Sequence, residues 1–350
     1  MDVTGILKEL LSVPAVSGFE KEFTGLVKGL MEAECDEVRI DSFYNVIGVK
    51  KGSGTNRKRI MLTAHYDEIG FIVSHIDDEG FVKISGIGGV DGKILLSQEV
   101  VIHGKEDIYG VIGAKPPHLI KPEEIKKAVK IEDLSIDTGM GAGKLKEFIS
   151  LGDVVTFKSL LTMLQDSKIS SKSFDNRCGI AALIGTLYEI SQERHEADIY
   201  FAATTQEEVG LRGAAVAAYN IEPAAAVVID ACHGDMPDSP KEETYTLGKG
   251  PAIAVGPNLH RNLTNRIIET AKQNEIPYQI DIEPGDTGTE AWAVQVTRSG
   301  IPTVLVSIPL RYMHTTVETV HIPDIENTSR LCSNFIKGLT TEELEAILCF

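Results

Sequence analysis

Two adjacent glutamates, Glu207 and Glu208, follow an apolar run, Asp198–Thr204, that reads as a buried strand. Gly210 and Gly213 mark the turn behind it. Two carboxylates at a strand mouth repel each other and lose hydration. A metal ion is the obvious compensation, with one glutamate as ligand and its neighbour free to move protons. A solvated acidic turn is the better explanation of an isolated Glu-Glu pair, so the other strand ends decide the matter.

Sites in open parallel sheets form at the carboxyl ends of strands. Strand Arg59–Ala64 ends in His65-Tyr66-Asp67-Glu68, and Ser173-Phe174 leads to Asp175-Asn176. Strand Ala224–Ile229 ends in Asp230, and strand Thr303–Ile308 is followed by a loop that reaches His314. With Glu208, these ends offer His65, Asp175, Asp230 and His314. Nitrogen and oxygen donors without thiolate suit Zn²⁺, Co²⁺ or Mn²⁺. One ion would leave ligands over, whereas two ions sharing a carboxylate would use all five. Two ions about 3.5–4 Å apart can clamp a hydroxide and polarise a carbonyl while a nearby carboxylate takes the proton. Each residue also has an ordinary structural explanation. Asp175 could cap a helix that starts at Asn176, and Asp230 could form a turn. His75, His103, His118, His195 and His260 read as structural, whereas His233 and His321 stay ambiguous by position.

The elements that must hold these residues alternate between helix and strand. Helices are expected at Val3–Val13 and Gly18–Glu34, and short strands at Glu37–Asp41 and Asn45–Lys50. Arg59–His65 is nearly all apolar, as in a parallel strand buried on both faces. From about Phe71 to Leu161 short alternating runs separated by Gly and Pro predict a small all-β unit. After Thr162 the alternation returns, with helices at Asn176–Ser191, Leu211–Tyr219, Leu263–Gln273 and Pro323–Leu339. The fold class is therefore α/β, a mainly parallel sheet flanked by helices, formed by residues 1–70 and 162–350, with a β-rich insertion at 71–161. Gly139-Met140-Gly141-Ala142-Gly143-Lys144-Leu145 is not a phosphate loop: Thr138 and Leu145 stand where Gly and Ser/Thr are needed. Gly86-Ile87-Gly88-Gly89 lacks the strand–helix unit of a dinucleotide site.

Composition excludes several classes. The chain has 350 residues, 43% hydrophobic and 24% charged, which fits a globular protein of two domains. A net charge of −17 argues against nucleic acid as a partner. No apolar run is long enough to span a bilayer, and no signal-peptide pattern opens the chain. Five scattered cysteines without Cys-x-x-Cys fit free thiols in a reducing cytoplasm, and the terminal Cys349-Phe350 is too short for a prenylation box.

The ordered strings Ala64-His65-Tyr66-Asp67-Glu68-Ile69-Gly70, Phe174-Asp175-Asn176-Arg177, Thr205-Gln206-Glu207-Glu208-Val209-Gly210-Leu211-Arg212-Gly213 and Ser307 through His314 resemble the M42 aminopeptidases of the tetrahedral, TET-type group. The resemblance covers nearly the whole chain. It implies a zinc-peptidase-like catalytic domain holding two divalent ions, Zn²⁺ or Co²⁺. His65 and Asp230 would bind one ion, Glu208 and His314 the other. Asp175 would bridge them, ahead of a cis peptide to Asn176. Asp67 would orient His65, and Glu207 would be the general base in attack by metal-bridged water. It further implies short peptides as substrates, and a dimer built through the β-rich insertion, with six dimers closing a dodecamer. Glu290 departs from the pattern, standing where the family often has Asp near its substrate pocket.

Rival readings differ in what they need. Deacylases and carboxypeptidases of the same clan share the ligand order but typically carry an α/β lid. A glycosidase, the endoglucanase label given to some relatives, needs two carboxylates about 5–10 Å apart across a sugar. Adjacent Glu207 and Glu208 do not supply that. A non-catalytic scaffold leaves the acid and imidazole groups at strand mouths without purpose.

Overall fold

The computed structural model describes residues 2–119 and 129–348; Met1 and the Cys349-Phe350 pair lie outside the described residues. In chain order the strands are β1 (Glu37–Ile40), β2 (Val46–Lys50), β3 (Arg59–His65), β4 (Gly70–Ile76), β5 (Val82–Ile87), β6 (Glu99–His103), β7 (Asp107–Ile112), β8 (Ile136–Asp137), β9 (Val154–Phe157), β10 (Thr162–Met163), β11 (Lys168–Ser171), β12 (Asp198–Thr204), β13 (Ala225–His233), β14 (Ala252–Val255), β15 (Gln279–Ile282), β16 (Thr303–Arg311) and β17 (Glu318–His321). The helices are α1 (Val3–Leu10), α2 (Thr24–Glu32), α3 (Ala142–Phe148), α4 (Phe174–Ser191), α5 (Arg212–Ile221), α6 (Arg261–Gln273), α7 (Glu290–Val294), α8 (Ile322–Lys337) and α9 (Thr341–Leu348).

A strand covered on both faces needs an apolar residue at every position, and β3 shows why. Ile60, Leu62 and Ala64 point into a core shared with α1, α4 and α8, while Met61 points into a second core with Ala214, Ala217 and Ala218 of α5. Helix α4 is apolar nearly all round because it is buried along most of its length.

The large sheet runs β1-β2-β12-β3-β13-β16-β17-β11-β10, with β14 on β16 and β15 on β14. Its centre, β12-β3-β13-β16, is parallel. Around that centre the sheet is antiparallel apart from the β14–β15 pair. The expectation of a mainly parallel sheet therefore holds for the central four strands only. The edges were harder to read because β10, β11 and β17 are too short for a periodic signal.

Strands β4, β5, β8, β7, β6 and β9 close into a small barrel. Strand β7 alternates exposed and buried residues along its length, which puts Ile108 and Ile112 inside. They join Phe71, Ile84, Val100 and Phe157 in a core of their own, and the Phe71 and Phe157 rings meet edge to face at 5.3 Å.

Candidate metal centre

Parallel register brings the predicted residues to one edge of the sheet. Thr204 pairs with His65, so the chain beyond β12 emerges beside β3. Val228 pairs with Thr63, which sets Asp230 level with His65 two residues on. Strand β13 does not stop at Asp230 as expected but continues to His233, because β16 pairs with it to Leu310. His314 lies in the loop between β16 and β17. The cap reading of Asp175 does not hold. Asp175 and Asn176 have non-helical backbone, their peptide is cis, and it is Asn176 Oδ1 that accepts the Gly179 N–H at 3.0 Å.

Two groups of ligand atoms result, His65 with Glu207 and Asp230, and Asp175 with Glu208 and His314, each within 4.8 Å. His65 Nε2 lies 3.2 Å from Asp175 Oδ1, 3.7 Å from Asp230 Oδ1 and 3.9 Å from Glu207 Oε2. His314 Nε2 lies 3.3 Å from Asp175 Oδ2 and 3.2 Å from Glu208 Oε1. The two oxygens of Asp175 thus face different histidines. Neither His233 nor His321 joins a group, and His321 faces Asp324 at 3.8 Å. A groove along Ser53, Arg194, His195, Lys337 and Thr341 contains none of these residues.

The backbone around the groups is held by carboxylates. Asp67 Oδ1 accepts the Glu207 N–H at 3.1 Å, and its Oδ2 accepts the Glu208 N–H at 3.3 Å and the Ser17 hydroxyl at 2.6 Å. Asp67 Oδ1 also lies 3.5 Å from His65 Nδ1. Glu318, which sequence reasoning missed, does the same elsewhere. It accepts the Asp175 N–H at 3.1 Å and the His314 N–H at 2.8 Å. Glu20, also missed, accepts the Gln206 N–H at 3.1 Å. The available signal for Glu318 was an acid leading a β-branched strand, since a buried acid without a basic neighbour calls for another partner. Such bonds matter because Ser173, Gln206 and His314 adopt left-handed backbone, with φ of 61°, 54° and 62°. Glu290 is fully buried and accepts hydrogen bonds from the Thr63 hydroxyl at 2.7 Å and from Thr204, tying α7 to β3 and β12.

Electrostatics shows what the centre can hold. Among the described residues no Lys or Arg pairs with Asp175, Glu207, Glu208 or Asp230; their only ion-pair partners are the two histidines. Burial pushes the Glu207 carboxyl up to about 10, with Asp230, Glu208 and Asp175 adding to the rise and His65 opposing it. Burial alone would lower His314, yet Asp175 and Glu208 raise it to about 11. Each imidazole has its Nδ1 against a carbonyl, Asp67 O at 3.3 Å for His65 and Gly89 O at 3.0 Å for His314. With a proton on Nδ1, each Nε2 faces carboxylate oxygens and can meet them either through a second proton or through a metal ion bound between. Asp230 Oδ2 is buried and accepts no hydrogen bond. A divalent ion fits this donor set.

The profile of the M42 glutamyl aminopeptidases matches residues 45–331. The lysyl aminopeptidase of Pyrococcus furiosus is 36% identical over 340 residues, 95% of this chain and 96% of that one. An aminopeptidase from the archaeon Desulfurococcus kamchatkensis superposes with a TM-score of 0.92 at 37% identity, covering 99% of this chain and 97% of the other. The Pyrococcus horikoshii TET1 peptidase, which can assemble into a tetrahedron or a large octahedral shell, superposes with a TM-score of 0.85 at 31% identity, over 97% and 100% of the two chains. The protein is thus a hydrolase of the peptidase class. It belongs to the M42 glutamyl aminopeptidase family.

Proposed function

We propose that the protein is a two-metal aminopeptidase that removes N-terminal residues from short peptides. One observation carries this reading: a single carboxylate, Asp175, faces both groups of ligand atoms. His65 and Asp230 would hold one Zn²⁺ or Co²⁺ ion and Glu208 and His314 the other, with Asp175 shared. Bound there, the ions would supply Lewis-acid charge for the carbonyl and for water. Asp67 aims the pair Glu207-Glu208 through their backbone N–H groups and steadies His65. Glu207 takes the proton of the attacking water and delivers it to the nitrogen of the departing amine. Its buried carboxyl has high proton affinity, and positive charge in the centre brings that affinity down toward a working range. The working form in this reading is a homo-oligomer, a dimer through the barrel building to a dodecamer, supported by likeness to the TET1 peptidase. A cytoplasmic setting is supported by Cys35, Cys178, Cys232 and Cys332 being free thiols.

The test is a substrate panel with elemental analysis. We expect two divalent ions per subunit in the wild type, and cleavage of Leu-p-nitroanilide but not of its N-acetyl form. Asp175→Ala should lose activity and the paired stoichiometry. Two tightly bound ions in Asp175→Ala would remove the shared-ligand role. Sugar release from carboxymethylcellulose without amide cleavage would transfer the protein to the glycosidases.

A further inference from the structure

The barrel supplies none of the ligands named above, yet the loop leaving it meets one of them and leaves no room for a side chain beside a second. The loop leaving β5 begins at Gly88 and Gly89, next to Ile87, whose partner in register is Gly70 at the start of β4. It departs, therefore, from the end of the barrel joined to His65-Tyr66-Asp67-Glu68. Gly89 O is the acceptor facing His314 Nδ1 at 3.0 Å. A methyl group at Gly89 would lie 3.0 Å from His314 Nδ1 and 3.1 Å from its Cε1. A methyl at Gly88, where φ is +77°, would lie 2.7 Å from Ile69 Cγ2 and 3.3 Å from Glu208 Cβ. Both touched ligands, Glu208 and His314, belong to one group, with Asp175. The same methyl on Gly86, within β5, would meet only Ile131 Cδ1 at 3.4 Å and Val90 Cβ at 3.9 Å, ordinary contacts.

We propose that the Gly88-Gly89 loop makes the barrel a positioning element for one of the two metal positions, the one formed by Glu208 and His314. The inference rests on the two-metal reading above. Gly89 sets both the tautomer and the tilt of the His314 ring, and it must be glycine because its backbone runs against that ring. Glu318 fixes the His314 backbone through its N–H, so the ring angle is what remains for Gly89 to set. Ligand distances hold to within about 0.2 Å in working sites. A side chain at Gly89 would push the ring by a few tenths of an ångström, beyond that tolerance. Loss of a partner that orients a ligand typically weakens metal binding about 10–100-fold. The His65 and Asp230 position has no such contact with the loop. The two positions therefore differ in kind: one is built within the large sheet, and the other depends on how the barrel sits against it.

The experiment titrates Co²⁺ into metal-free wild type, Gly89→Ala and Gly86→Ala, full-length, by calorimetry and visible absorption. We expect two ions in wild type and in Gly86→Ala with matching affinities. Gly89→Ala should keep the first ion at wild-type affinity and bind the second about 10–100-fold more weakly. Excess Co²⁺ should then restore its kcat, and its metal-free melting temperature should equal that of wild type. Two ions at wild-type affinity in Gly89→Ala would overturn the proposal. So would equal weakening of both positions, or a lower metal-free melting temperature, since either makes Gly89 a folding residue. A wild type that binds a single ion would bring down the two-metal reading and this inference with it, an outcome separable from the others by the wild-type titration alone.

Discussion

Glu68 and Glu207 are both buried at the same edge of the sheet, but their surroundings are opposite. Glu68 is paired with Lys172 and with Arg177, and it also accepts from the Ser173 hydroxyl and the Ala15 N–H. Burial raises its carboxyl, but the two cations outweigh burial and bring it down to about 2. Arg177 in turn lies over the Phe23 ring at 4.1 Å and donates to the carbonyls of Leu10 and Val13. This is a closed network in which every charge has a partner from the chain. Around Glu207 the chain provides three more carboxylates, Asp175, Glu208 and Asp230, and two imidazoles, and burial with like-charge repulsion raises the carboxyl instead. Buried acids alone therefore do not mark a metal centre. Buried acids that cluster around imidazoles, with no Lys or Arg to balance them, do.

The largest expected effect falls on the uncompensated side. Glu207→Gln keeps the shape but removes the proton acceptor, so kcat should fall about 10²–10⁴-fold while metal content stays that of wild type. Near wild-type kcat at saturating metal would erase the functional half of the contrast.

On the compensated side the effect should appear in stability. Glu68→Gln leaves Arg177 buried with its carboxylate partner gone, and breaking a buried pair in this way costs about 3–5 kcal/mol. The pH dependence has a definite sign. Because the folded Glu68 carboxyl lies at about 2, below its ordinary 4.5, its contribution is fully present above pH 4.5 and is lost as pH falls from there toward 2. Denaturant unfolding of the metal-free protein across that window should show wild type losing more stability than Glu68→Gln, by up to about 3 kcal/mol. Parallel curves for the two proteins would mean that the network is not paired as described.

The contrast also explains what the sequence disclosed. His65, Glu207, Glu208, Asp230 and His314 could be found because each stands at or beyond the end of a strand long and apolar enough to recognise, and parallel strands put such ends together, whereas Asp175 follows the short β11 and rests on the string Phe174-Asp175-Asn176-Arg177. The central β3, β12, β13 and β16 were legible for that reason. Strands β14, β15 and β17 and helix α7 were not, although β1 and β2 of the same length were, because four or five residues carry only a weak periodic signal. Glu318 and Glu20 escaped for a related cause. They act on backbone N–H groups, and nothing in the order of residues says which N–H a distant carboxylate will meet. Asp67 and Glu68, adjacent in the chain, show the limit most plainly. One turns to the metal-site loops and the other to Arg177, a division set by long-range packing.

Glu318 gives the smallest and sharpest test, because it belongs to both halves of the comparison. Like Glu68 it is buried and bonded to the chain, through the Asp175 and His314 N–H groups. Like Glu207 it has no Lys or Arg partner, and burial, followed by repulsion from Asp175, raises its carboxyl well above the usual range. Gln in its place can accept from one of those N–H groups but presents its own amide N–H to the other. One ligand loop should then loosen, and metal affinity should weaken about 10–100-fold, or about 1.4–2.7 kcal/mol. The metal-free protein should respond in the opposite sense. The raised carboxyl already keeps its proton through much of the neutral range, so Gln in its place should leave stability unchanged or slightly higher at neutral pH. Metal titration and metal-free denaturation of Glu318→Gln read the two effects separately. A metal-free stability loss as large as that of Glu68→Gln would class Glu318 with the structural network and end its claim to a place in the centre.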